Sequence, residues 1–107
     1  MKEVSVIKTT QLKVRIFNKE NDLALPIQTR VLDIISEFGE LSKEILKSSA
    51  YGTKPVIVSK ELTSEFGDVL YSVISLANSL DIDLEECLMS VLDKYKSRIK
   101  FKQIVKY

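Results

Sequence analysis

Glu37-Phe38-Gly39-Glu40 and, after 24 intervening residues, Glu65-Phe66-Gly67-Asp68 are two copies of nearly the same tetrapeptide, and their relation decides the fold. Each sets two carboxylates three positions apart, and on a helix such positions share a face, with Cβ atoms roughly 5–6 Å from one another. The copies lie symmetrically about Gly52, inside the helix-breaking stretch Tyr51-Gly52-Thr53-Lys54-Pro55. An antiparallel helical hairpin folded there brings Glu37, Glu40, Glu65 and Asp68 to one height. Carboxylates sharing a partly buried site must protonate or be neutralised by a cation. Oxygen-only ligands favour a hard ion such as magnesium, manganese or calcium. Gly39 and Gly67 each cost a helix interior ~1 kcal/mol relative to alanine. The expected compensation is room for another helix, a metal shell or a ligand to approach the backbone.

The segments on either side support the hairpin. From Pro26 to Ala50, Ile27, Val31, Ile34, Phe38, Leu41 and Ile45 recur at spacings of four and three, a packing stripe widened by Leu32, Ile35 and Leu46. Gly52 suits the C-terminal cap and Pro55 prevents continuation. Ser59 is the expected N-cap of a second helix to Leu80, carrying Leu62, Phe66, Val69, Val73, Leu76 and Leu80, with a further stripe of Leu70, Ile74 and Ala77. A helix so apolar all round belongs at the centre of a bundle. Asp83-Leu84-Glu85-Glu86 has the form of a capping box and opens a third helix, Leu84 to about Phe101, with Leu84, Leu88, Val91, Tyr95 and Ile99 inward and a basic tail that frays to Tyr107. Upstream, Glu3 to Ile7 reads as an extended arm, and Thr9 or Thr10 as the cap of a short helix from Gln11 to Glu20. There Leu12, Val14 and Ile16 alternate as in a strand, whereas Leu12, Ile16 and Phe17 suit a helix.

Composition bounds the function. The 107 residues make one domain, with 45% hydrophobic and 29% charged residues, the profile of a soluble globular chain. Such a chain is short for a deep pocket of its own, so the site calls for a second subunit. A net charge of +1 argues against nucleic acid as the partner. The first residues offer no apolar signal-peptide region, and no run is long enough to span a membrane. The expected location is cytoplasmic, and the single Cys87, which can make no internal disulfide, agrees with it. The absence of histidine excludes Ser-His-Asp and Cys-His systems and His-containing metal sites. The remaining chemistry belongs to carboxylates, Lys, Arg, Tyr or a metal.

A lone Glu-x-x-Glu on a helix is ordinarily a solvated face. Here Phe38 and Leu41, and Phe66 and Val69, set both pairs beside apolar stripes, which favours metal binding by Glu37, Glu40, Glu65 and Asp68. Glu44, one turn on, either extends the site or pairs with Lys43 or Lys47, and Glu61 is a first-turn acid favoured by the helix dipole. Lys94 and Arg98 lie four apart on one face and are candidates to grip phosphate oxygens; the alternative is cations serving a helix C-terminus. Asn78 is a candidate ligand contact or the partner of a neighbouring backbone. Cys87 is read as a small core residue.

Glu37-x-x-Glu40, the interval, and Glu65-x-x-Asp68 followed by Val69-Leu70-Tyr71 resemble the signature of the MazG-like nucleotide pyrophosphohydrolases of the all-α NTP pyrophosphatase superfamily. The resemblance continues through Leu76-Ala77-Asn78, Ile82-Asp83-Leu84-Glu85-Glu86 and Lys94-Tyr95-x-x-Arg98, so it covers about Gln28 to Ile99. Residues 1–25 match weakly. It implies an all-α, four-helix-bundle type of fold built around the hairpin and completed by dimerisation, with a homodimer or a tetramer as the assembly. It also implies hydrolysis of a nucleoside or deoxynucleoside triphosphate to monophosphate and pyrophosphate. Glu37, Glu40, Glu65 and Asp68 would hold magnesium, with manganese a possible substitute; Glu37 or Glu40 would accept the proton of the attacking water. Lys94 and Arg98 would stabilise the departing pyrophosphate. The chain departs from relatives in having no Trp and in placing Tyr95 where Asn is frequent, which bears on the base and not on the metal acids. Phosphoribosyl-ATP pyrophosphohydrolase is the enzymatic alternative, weakened because Tyr71 is followed by Ser72 and not by histidine. A non-catalytic helical dimerisation or regulatory module is the alternative of another class.

Overall fold

The computed structural model describes residues 5–105, and among them the chain is all-α. Four helices follow one another: α1 Val6–Glu20, α2 Ile27–Ser48, α3 Lys60–Ser79 and α4 Leu84–Val105. α2 and α3 form the expected hairpin, α1 packs on α3 and α4 packs chiefly on α1. Among the described residues no helix is long and apolar enough to cross a membrane.

Local signals explain most boundaries. Ser59 caps α3, its hydroxyl accepting from the Leu62 amide at 3.0 Å. Asp83 opens α4, its Oδ1 accepting from the amides of Glu85 and Glu86 at 3.0 and 3.2 Å. The Glu86 amide above all, with Lys8 in support, holds the Asp83 carboxyl below its ordinary range. That contribution to stability is present above the ordinary carboxylate pKa and is lost as pH falls through the lowered one.

The extended arm is not found in the described part of the chain. α1 begins at Val6 because Ser5 caps it by accepting from the Lys8 amide, and the hydroxyls of Thr9 and Thr10 instead bond back to the Ser5 and Val6 carbonyls. Glu3 and Val4 lie outside the described residues. α4 likewise runs on past Phe101 to Val105, and the expected frayed end falls beyond it. α2 stops at Ser48, and Gly52 is not its cap. Ala50 takes the left-handed conformation there (φ 47°), with its amide on the Lys47 carbonyl and the Tyr51 amide on the Leu46 carbonyl. This is a Schellman ending made without glycine, and α1 and α3 end the same way at Asp22 (φ 54°) and Asp81 (φ 52°). A side chain held at positive φ costs about 1–2 kcal/mol. Ala50→Gly is therefore expected to raise the melting temperature by several degrees, corresponding to about 1 kcal/mol; differential scanning calorimetry at fixed concentration reads it, and an unchanged or lower value would contradict it.

Packing departs from the apolar stripes. Leu41, Leu62, Ile74 and Ala77 are the buried hydrophobic residues among those described, whereas Gln11, Arg30, Ser49, Ser72, Ser75 and Asn78 are buried too. α1 turns Gln11 and Asn18 inward and leaves Leu12, Ile16 and Phe17 exposed. The reason is hydrogen bonding: Gln11 Nε2 donates to Asn78 Oδ1 and the Ile82 carbonyl, the Leu84 amide donates to Gln11 Oε1, and Asn18 Nδ2 donates to Ser75 Oγ. On α2 the inward face is Arg30, Asp33, Ile34, Glu37, Leu41 and Glu44, while Val31, Phe38, Leu32 and Ile35 of the expected stripes face out. On α4, Leu88, Tyr95 and Ile99 are exposed as well, and so is Cys87 rather than sitting in the core. The radius of gyration is 17.8 Å, against ~13 Å for a compact chain of 100 residues. The polar seams thus leave broad apolar faces uncovered within one chain.

Candidate metal centre

The seam between α2 and α3 carries the acids. Glu37 and Glu65 are half-buried in it, and Asp68 and Glu40 are exposed at its edge. One carboxylate oxygen from each of Glu37, Glu65 and Asp68 lies within 4.8 Å of the others. Metal–oxygen bonds of about 2.0–2.6 Å place neighbouring ligand oxygens within such a span, so this donor set fits a hard divalent cation. Glu40 falls outside the tight group of three but adds to its field. Glu44 does as well, while its carboxylate meets Lys47 Nζ at 3.5 Å.

Burial and the charges of Asp68, Glu37, Glu40 and Glu44, in that order, hold the Glu65 carboxyl above its ordinary value of 4.5. The sign follows from linkage: a carboxyl whose folded pKa is raised contributes stability that is full below 4.5 and is lost as pH rises through the folded value. In chelator, the melting temperature is expected to gain from this group as the solution is acidified through that window, and Glu65→Gln is expected to remove the gain. A pH series of thermal melts on both proteins checks it; the same pH profile in both would contradict it. A divalent ion held by these carboxylates would compete with the proton, and its affinity would fall as the solution is acidified.

The glycines of the two tetrapeptides are not crowded. A Cβ built on Gly39 or Gly67 would meet nothing within 4 Å, so among the described residues no element uses the room. Asn78 is buried, its amide donating to the Gln11 carbonyl at 3.0 Å and its Oδ1 accepting from Gln11. It lies ten residues past Asp68, roughly 15 Å along α3. Lys94 and Arg98 flank the ring of Tyr95 on the exposed side of α4, at 5.6 and 5.8 Å from its centroid. The helix that bears them packs on α1, not chiefly on the hairpin.

Two features had no place in the sequence reading. Arg30, two turns before Glu37 on the same face of α2, is 5% exposed; its guanidinium donates to the Leu23 carbonyl, and its Nε has no partner among the described residues. A cleft of about 440 Å³ opens beside the cluster, lined by Glu44 of α2 and Lys60, Glu61, Ser64 and Glu65 of α3. The only sequence signal for it was the Lys60-Glu61 pair in the first turn of α3.

The description of the MazG nucleotide pyrophosphohydrolase domain matches residues 26–101. The uncharacterized protein YpjD of Bacillus subtilis (strain 168) is 41% identical over 70 residues, which are 63% of this chain and 61% of that protein. The match thus spans about three fifths of the curated relative's length. Among solved structures, YpjD from Bacillus subtilis superposes with a TM-score of 0.74 at 30% identity, covering 90% of this chain and 92% of the other. The Bacillus-conserved MazG protein, a nucleotide pyrophosphohydrolase, gives a TM-score of 0.72 at 28% identity, with 88% and 93% covered.

Proposed function

This chain belongs to the MazG nucleotide pyrophosphohydrolase family, and from that premise we propose that it hydrolyses a nucleoside or deoxynucleoside triphosphate to the monophosphate and pyrophosphate. The observation that carries the reading is the convergence of Glu37, Glu65 and Asp68 within 4.8 Å. Those residues, with Glu40 beside them, would hold magnesium, or manganese in its place. When bound, the ion would supply positive charge against phosphate oxygens and would make nearby water more acidic. Glu37 or Glu40 takes the proton from the attacking water, and the half-buried seam keeps the carboxylates aligned for it. Lys94 and Arg98 face the leaving pyrophosphate, and Arg98 supplies a bidentate fork. Asn78 stays with the scaffold, since both ends of its amide are engaged by Gln11.

The reading includes a homodimer as the working unit, or a tetramer built from it. Leu32 and Ile35 on the outward face of α2 and Phe66 and Leu70 on α3 are all more than half exposed. Apolar area on this scale is stabilised by covering it. α4 packs chiefly on α1 and not on its own hairpin, and in this assembly Lys94 and Arg98 serve the cluster of the second copy. Ile35→Glu is expected to convert the assembly to monomers in sedimentation velocity and to remove most turnover; a fully active monomer would contradict the dimeric site.

The test of the reaction is pyrophosphate release from a panel of standard and modified nucleoside triphosphates, with phosphoribosyl-ATP included, in magnesium and in chelator. Magnesium-dependent release from members of the panel supports the reading. A folded protein that releases nothing from any of them rejects it.

A further inference from the structure

We propose that Lys60 is the residue that holds the end of the phosphate chain lying away from the metal acids, so that the cleft beside the cluster is a polyphosphate subsite. The inference rests on the reaction proposed above and goes beyond it by assigning a residue and a place. The cleft shares Glu65 with the metal group, so whatever occupies it adjoins the ion, and about 440 Å³ is ample for a diphosphate unit.

Its charge balance points the same way. Three acids and one cation line the cleft. Glu65 is neutralised when a divalent ion binds, and Glu44 already meets Lys47 at 3.5 Å. Glu61 and Lys60 then offset each other and leave the cleft near neutral. Among the described residues the ion pairs are made by Lys8, Arg15 and Lys47, and Lys60 makes none despite the acids around it. Its ammonium is therefore free to pair with an incoming anion, on a flexible stem that begins in the first turn of α3. Lys94 and Arg98 are on α4, which packs chiefly on α1, whereas Lys60 sits on the helix that supplies two of the metal acids.

The experiment measures binding of inorganic pyrophosphate to the full chain by isothermal titration calorimetry in the presence of magnesium, together with the titration of manganese alone and the KM and kcat for a triphosphate that the chain turns over. Lys60→Gln is expected to weaken pyrophosphate binding and raise KM on the order of tenfold, the size of a lost charge-assisted hydrogen bond. Manganese affinity should stay unchanged. Lys60→Arg should restore most of the loss, and Glu61→Gln, which removes the acid beside the ammonium, should tighten pyrophosphate binding. Lys13→Gln, on the exposed side of α1, controls for net charge and should have no effect. Pyrophosphate bound equally by the wild-type and Lys60→Gln proteins would overturn the role of Lys60 while leaving the reaction in place. A wild-type chain that binds neither manganese nor pyrophosphate would remove both.

Discussion

Glu65→Gln is expected to lower turnover by on the order of 10³-fold or more while the protein stays folded. Glu65 is one of the three residues whose oxygens lie within 4.8 Å of one another, and burial, with the neighbouring acids in support, pushes its carboxyl up. The amide keeps the size of the side chain but presents a neutral oxygen, a weaker ligand for a hard cation. Two measurements separate this account from a structural one. In chelator the variant should melt higher than the wild type, because one of the repelling charges is gone. In magnesium the order should reverse, since only the wild type gains from binding; a ligand at a hundred times its Kd stabilises by ~2.7 kcal/mol. Near-normal turnover in the folded variant would reject the assignment of the metal acids.

Gln11→Ala is expected to cost about 2–4 kcal/mol of stability, the largest loss we anticipate from a single residue outside the hairpin. The side chain joins three elements at once: it donates to Asn78 Oδ1 at 3.1 Å and to the Ile82 carbonyl at 2.9 Å, and it accepts from the Leu84 amide at 2.9 Å. Truncation leaves the buried Asn78 carbonyl group and the first amide of α4 without those partners, and an unsatisfied buried group costs ~1–3 kcal/mol. The melting temperature should fall by roughly 8–20 °C at constant protein concentration. Turnover per folded molecule should change little, because Gln11 touches no metal acid. A variant that melts like the wild type would show that water replaces these bonds at no cost, and a selective rise in KM would return Asn78 to the substrate.

These two expectations mark where sequence was informative and where it was not. The hairpin was legible because its evidence is local: apolar spacing of four and three, a breaker between, and capping of α3 by Ser59. The acids were legible because repetition of one spacing on two antiparallel helices has a geometric consequence. The face each helix buries was not, since period alone does not say which neighbour covers which side. On α2 the charged seam of Arg30, Glu37 and Glu44 turns to α3, and the stripe of Leu32, Ile35 and Phe38 turns out. On α1 a buried Gln11 makes sense only once Asn78 and Ile82 stand opposite it, more than sixty residues away in the chain. The ends of α1 and α3 fall within a residue of the expected Glu20 and Leu80, but the left-handed caps at Asp22, Ala50 and Asp81 were illegible for a related reason. Glycine is the usual marker of a left-handed cap, and none of these positions has it.

The acid seam and the exposed faces are connected. Charged and small polar residues at the contacts of α3 with α1 and α2 leave fewer apolar side chains inside one chain. Those displaced outward supply the surface that the proposed second copy would cover, on the same two helices that carry the cluster. In this view the costly burial of Glu37 and Glu65 is offset in function by the cation, and the thin core is offset by assembly.

The measurement that tests the central claim most directly is phosphorus NMR of a nucleoside triphosphate incubated with the protein in magnesium, followed from first turnover. Monophosphate and pyrophosphate should rise together in equal amounts, with no diphosphate or free orthophosphate, and chelator should stop the change. Accumulation of diphosphate and orthophosphate, or hydrolysis that continues in chelator, would contradict the account.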